Sequence, residues 1–256
     1  MPDRGDVTGS ALQSSEIVLS DITLMGQGYC VIGLKQLAPG SVQSVRPRPR
    51  WGFAWRDPFR LRRGQSVLCS LVSASLSSPH VEDRQSAGFT PTGRSLSEDD
   101  LIRFLNYAEL SSNLKGLFGC ALNSAGAAGN CWANAHEAGR SICGCRYKNI
   151  WFRVFQEPTR STLRARIALP SNESLNSIPV VDREWNRFLR EIVKRIKEAG
   201  RPYGAEQFLN RFVRHELMRS SNRFARIGLA RPQSGRCWLM LDSLFPQPQE
   251  LWMSGL

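Results

Sequence analysis

The stretch that decides the fold reads Ile17-Val18-Leu19, then Gly26-Gln27-Gly28, then Tyr29-Cys30-Val31-Ile32-Gly33-Leu34. Two apolar runs flank a glycine pair. Glycine takes positive φ at no steric cost, so the pattern is that of a hairpin. A second turn at Pro39-Gly40 returns the chain through Val45-Arg46-Pro47. A segment unlike the rest follows, with Arg46, Arg48, Arg50, Arg56, Arg60, Arg62 and Arg63 set among Trp51, Phe53, Trp55 and Phe59. Strand, tight turn, strand, then a basic and aromatic ribbon is how a small β-barrel that handles nucleic acid begins.

The ribbon has two parts. Arg46-Pro47-Arg48-Pro49-Arg50 alternates arginine with proline, which has no amide donor. That predicts a sheet edge or a polyproline-like stretch with solvated arginines, not a central strand. Trp51, Phe53 and Trp55 recur at every second residue, so an extended chain puts all three on one face. Burial of Trp51 and Trp55 is the expectation for large aromatics; stacking at the surface is the alternative.

The chain has 256 residues, room for one large domain or two small ones with real cores. No apolar run is long enough to span a bilayer as a helix, so no membrane partner is expected. Met1-Pro2-Asp3-Arg4-Gly5-Asp6 lacks the basic-then-apolar order of a secretion signal, which predicts a cytoplasmic protein. Cys30, Cys69 and Cys237 lie in apolar runs and read as reduced core thiols. The net charge is +12, and 34 basic residues include only Lys35, Lys115, Lys148, Lys194 and Lys197 as lysines. Arginine grips phosphate with a planar fork and stacks on flat rings, so the excess points to nucleic acid. A GC-rich genome explains the preference for arginine over lysine but not the net excess.

Residues 1–15 are polar and glycine-containing, a tail expected to be disordered. A glycine turn at Arg63-Gly64 feeds a strand through Val67 to Val72, which Pro79-His80 ends, and residues 88–94 read as loop. Ser97 then caps a helix whose first turn is Glu98-Asp99-Asp100. Residues 120–146, rich in Gly, Ala and Cys, give no clear pattern. Strands are expected at 151–155 and 163–169, with loop at 171–177. Asp182 caps the clearest helix, which Gly200 stops. Trp185, Phe188, Leu189, Ile192, Val193 and Ile196 fall on one side of it, opposite Arg183, Arg187, Arg190, Lys194 and Lys197. A second helix covers 205–218, and a last hairpin turns at Pro232-Gln233-Ser234-Gly235.

The order of these features resembles the dual OB-fold domain of bacterial proteins. The matching residues are Gly28-Tyr29-Cys30-Val31-Ile32-Gly33, Val45-Arg46-Pro47, Leu61-Arg62-Arg63-Gly64-Gln65 and Pro79-His80-Val81-Glu82-Asp83. At the back they are Arg226-Ile227-Gly228-Leu229-Ala230-Arg231-Pro232 and Cys237-Trp238-Leu239-Met240 through Phe245-Pro246. The likeness spans most of 16–248. It implies a mainly β chain with helices, in which two OB-like barrels stand in tandem. The first would occupy 16–110 with a linking helix near 97–110. The second would occupy 111–256, with the insert 120–146 and helices at 182–199 and 205–218. It also implies nucleic-acid binding as an accessory module, possible protein partners, and a setting in bacterial conflict or defence.

Barrels of this kind neutralise phosphates with arginines and accept unstacked bases on aromatic faces. The candidate nucleic-acid-binding residues are therefore Arg46, Arg48, Arg50, Trp51, Phe53, Trp55, Arg56, Arg60, Arg62 and Arg63, with a single strand of DNA or RNA as the favoured ligand. The competing reading is a protein-interaction adaptor whose barrel groove holds a partner's peptide. No reaction is indicated. His80, His136 and His215 sit in no two-histidine helical motif, serine elbow or phosphate loop. Cys120, Cys131, His136, Cys143 and Cys145 could supply four ligands to zinc, but they lack the paired two-to-four-residue spacing of structural sites; a loop with incidental cysteines is the preferred reading, and no cofactor is expected.

Overall fold

The computed structural model describes residues 13–56, 60–73, 78–124, 129–156, 161–200 and 204–248. The architecture is mainly β, with 49% of the described residues in strands and 21% in helices. No helix among the described residues is long and apolar enough to cross a membrane.

The front half is built from β1 (Gln13–Met25), β2 (Gly28–Ala38), β3 (Ser41–Pro49), β4 (Gln65–Ser73), β5 (Asp83–Ser86) and β6 (Thr90–Ser95). The predicted first hairpin is β1–β2, turning at Gly26, whose φ is +57°. β1 starts at Gln13, so the expected tail ends before that residue; residues 1–12 lie outside the described ones. Strand pairing runs β1–β2–β3–β5–β4 and returns from β4 to β1, closing five strands into a ring with β6 appended to β4. The ring encloses Ile17, Leu19, Ile22, Val31, Leu61, Val67 and Cys69. β6 replaces the loop expected at 88–94.

The arginine–proline run pairs on one side only, as the edge reading expects. β3 pairs with β2 over Ser41–Val45 and then transfers to β5, in parallel, over Arg46–Pro49. Arg46 N–H donates to the Glu82 carbonyl at 2.9 Å. Successive amides of a strand point to opposite sides, so Pro47 and Pro49 fall where the missing N–H faces away from β5. The prolines thus sit on the open side that β2 has already left, where no strand needs their missing N–H.

α1 (Glu98–Leu105) follows, with Ser97 Oγ accepting from the Asp100 amide as expected. It packs Leu101, Ile102 and Leu105 against Leu34 of the front half and Phe224 and Phe245 of the back half, making an apolar seam. Beyond it the chain forms β7 (Leu110–Ser111), α2 (Leu114–Phe118), β8 (Leu122–Ser124), β9 (Cys131–Asn134) and β10 (Ile142–Arg146). These elements resolve the unreadable segment, of which 125–128 lie outside the described residues. Next come β11 (Asn149–Gln156), β12 (Ser161–Ala168), β13 (Ser174–Pro179) and α3 (Arg183–Glu198). The chain ends in α4 (Gly204–Phe208), a π-helical turn (Leu209–Val213), α5 (Arg214–Arg219), β14 (Phe224–Leu229) and β15 (Arg236–Phe245).

One six-stranded sheet has the order β7-β10-β14-β15-β9-β8, and β11-β12-β13 form a separate antiparallel sheet. β13 occupies part of the loop expected at 171–177. Trp185, Leu189 and Val193 of α3 lie in the large core shared by both sheets. The helix expected at 205–218 is interrupted by the π turn. Its Asn210 Oδ1 accepts from Phe152 N–H at 2.9 Å, and its Nδ2 donates to the Phe152 carbonyl at 2.8 Å. A side-chain amide thereby occupies the place of a strand partner on the edge of β11.

Candidate nucleic-acid interface

The aromatic part of the ribbon does not continue as a strand. Gly52 has φ +87°, which breaks the extended repeat, so the three rings do not share a face. Trp51 is 83% exposed and Phe53 48%, and the burial expected for Trp51 is overturned. Trp55 is half-buried and packs on Phe89 with ring centroids 4.7 Å apart. Its indole N–H donates to the Pro47 carbonyl at 2.9 Å, and its backbone bonds to Tyr29 in both directions at 2.8 and 2.9 Å. These bonds press the ribbon onto β2 at Gly28. A Cβ there would lie 2.6 Å from the Trp55 carbonyl oxygen, so close approach explains this glycine.

Beside the docked ribbon, one carboxylate gathers three arginines. Asp83 Oδ1 accepts from Arg46 at 3.1 Å, while Oδ2 lies 3.3 Å from Arg48 Nε and 2.6 Å from Arg231 Nη2. Three guanidiniums thus share one carboxylate. The guanidiniums of Arg48 and Arg231 lie over the Phe53 ring, 4.8 and 4.6 Å from its centre. Arg50 lies 5.6 Å from the Trp51 ring centre. Burial lowers the Arg231 pKa, opposed by its bond to Asp83 and reinforced by Arg46 and Arg48. The group is therefore crowded with like charge, which an incoming anion relieves.

The predicted residues divide between two environments. Arg50, Trp51, Phe53, Arg56, Arg60 and Arg62 are exposed, Arg48 and Trp55 are intermediate, and Phe59 lies outside the described residues. Arg46 and Arg63 are buried, contrary to the expectation of solvated arginines. Arg46 Nη1 donates to His80 Nδ1 at 2.8 Å and Nη2 to Ser141 Oγ at 2.8 Å. Arg63 pairs with Asp182, the cap of α3, at 2.9 Å and lies 5.1 Å from the Phe245 ring centre. Arg231 and Asp83 went unassigned to the site in the sequence. The signal available was the Arg231-Pro232 pair, but no pattern joins it to a strand pair 148 residues earlier.

The motifs quoted for the family resemblance converge on the seam between the halves. Arg226, fully buried in β14, bonds Asp21 of β1 at 3.2 Å and Ser44 of β3 at 3.1 Å. Glu82 accepts from the Ser141 amide at 2.9 Å and hydroxyl at 2.7 Å. Arg46 donates to His80 Nδ1, so the ring proton sits on Nε2. Burial, and then Arg46 and Arg231, push the His80 pKa down to about 2, keeping the ring neutral. Burial and the nearby Asp21 push the Asp242 carboxyl up to about 8. These buried bonds run between the two halves along the seam.

Burial keeps the thiols protonated. Burial pushes Cys69 and Cys143 up to about 11, and Cys143 Sγ donates to the Glu109 carbonyl at 3.6 Å. Among the described residues no three histidines, cysteines or carboxylates come together in a way that could hold a metal ion. Compared with protein-family models, curated proteins and solved structures, the chain matches none.

Proposed function

We propose that the chain binds single-stranded nucleic acid across Arg48, Arg50, Trp51, Phe53 and Arg231. The five-strand ring that carries this face is read as an OB-type barrel. The tandem second barrel has weaker support, because the pairing of the back sheets does not return on itself among the described residues. The observation that carries the reading is the Asp83 cluster, where guanidiniums fixed by one carboxylate lie over a half-exposed Phe53 ring. Fixed guanidiniums take phosphates without first being ordered. Trp51, 83% exposed, offers a base the open indole face that single-strand binders use. Both exposed rings lie beside guanidiniums, which favours a polyanion over an apolar peptide.

Titration of labelled single-stranded oligothymidylate and oligouridylate across a salt series tests the proposal. Affinity should fall steeply as salt rises, because phosphate contacts release counterions. Trp51→Ala with Phe53→Ala should weaken binding at least tenfold, since each stacked base contributes about 1–3 kcal/mol. Arg50→Ala with Arg62→Ala should flatten the salt slope. Absence of binding at low salt, or unchanged affinity in the aromatic variant, refutes it.

A further inference from the structure

We infer that the outer face of the β11–β12 sheet is a second single-strand nucleic-acid site. It shares the ligand class of the proposed function but none of its residues.

Antiparallel register places Trp151 opposite Arg166, Arg153 opposite Arg164 and Phe155 opposite Thr162. Directly paired residues project to the same side, so these residues form one face. The other side buries Ile150, Phe152, Leu163, Ala165 and Ile167 in the core. The outer face is thus committed to solvent by the pleat, yet it carries aromatics and arginines in place of the mixed charges of an ordinary wet surface.

Three observations point to an anion there. Arg153 and Arg164 lie directly opposite each other, which gathers two guanidiniums on this face. Among the described residues neither Arg153 nor Arg166 pairs with a carboxylate, and no outward position of the two strands is acidic. Two further guanidiniums are held in place. Arg164 Nη1 bonds the Ser177 carbonyl at 2.6 Å and the Asn130 side chain, and Arg214 Nε bonds Asn149 Oδ1 at 2.9 Å.

The rings are set among these cations. Arg166 and Arg214 each lie 5.2 Å from the Trp151 ring centre, and Arg164 lies 5.7 Å from that of Phe155. Phe155 is 42% exposed. Along β11 the outward side chains repeat about every 6.7 Å, in the order ring, cation, ring. An extended single strand offers base and phosphate in the same alternation. A flat polyanion without bases would use the arginines and leave Phe155 idle.

The test uses the full chain with labelled oligothymidylate and oligouridylate in a salt series. Arg153→Ala with Arg166→Ala should weaken binding about tenfold and reduce the salt slope by about 1.4, at roughly 0.7 per phosphate contact. Phe155→Ala should weaken binding without changing that slope. The urea midpoint should stay level, because Arg153 and Arg166 are exposed. If the sheet-face variants bind like the parent while the Trp51/Phe53 variant fails, this inference is wrong and the first site stands. If only the sheet-face variants fail, the inference stands and the ribbon reading is wrong. Polyglutamate binding as tightly as the oligonucleotides would overturn the assignment to nucleic acid.

Discussion

Asp242→Asn should change how stability depends on pH, in a direction fixed by two buried groups of opposite sign. Asp242 is 3% exposed, and its carboxyl is pushed from 3.8 to about 8. Burial is the main cause, Asp21 of β1 and Asp182 add to it, and Arg46 of β3 and Arg226 of β14 oppose it. The folded chain therefore keeps a proton that the unfolded chain has lost. The stability this gives is complete below pH 3.8 and disappears as pH rises toward 8. His80 works the other way, its pKa falling from 6.5 to about 2. Its contribution is complete above pH 6.5 and is lost as pH falls. Between 3.8 and 6.5 the two offset each other; between 6.5 and 8 only the Asp242 loss remains. One proton changes stability by about 1.4 kcal/mol per pH unit, so the parent should lose roughly 2 kcal/mol over that upper window. With a urea slope of about 3 kcal/mol/M, the midpoint should fall by about 0.6 M. Asparagine keeps the shape without the charge, and most of the fall should vanish. A parent midpoint that is level or rising from pH 6.5 to 8 would refute the reasoning, as would a variant that falls as steeply as the parent.

Gly228→Ala should cost about 3 kcal/mol in urea unfolding, because the new Cβ would lie 1.9 Å from Asp242 Oδ2. Arg226→Ala should cost about 3–5 kcal/mol by leaving Asp21 buried without its partner, and replacing both by apolar residues should recover most of it. Asn210→Ala should free the edge of β11 and cost about 1–3 kcal/mol, seen as faster hydrogen exchange at the Phe152 amide and increased self-association. Trp51→Ala should change the urea-unfolding free energy by less than about 0.5 kcal/mol, since the ring is 83% exposed.

Local rules read much of the chain correctly. The glycine hairpin, the Ser97 and Asp182 caps, the amphipathic α3 and the closing hairpin all depend on residues within a turn or two of one another. The errors have a common cause. Pro47 and Pro49 do mark the open side of β3, but Arg46 beside them is buried by partners, Asp83 and Ser141, that lie far along the chain. β13 and β6 are short and lack strong alternation, so only their long-range partners mark them as strands. Gly28 reads as a turn residue, and nothing in the sequence shows that Trp55 will press against it.

The arginines make the same point about the site. In sequence Arg46, Arg48, Arg50, Arg62 and Arg63 are one basic run, and charge alone treats them alike. Their partners separate them. Buried Arg46 finds a carboxylate in Asp83 and crosses the seam to Ser141, and buried Arg63 crosses it to Asp182. Arg48 stops at the boundary, shares Asp83 with Arg231 and lies over Phe53. Asp83 therefore does two jobs: it neutralises the buried Arg46 and holds the surface pair in place. Replacing it with alanine should damage folding and binding together. Phe53→Ala, which leaves the ion pairs standing, should affect binding alone.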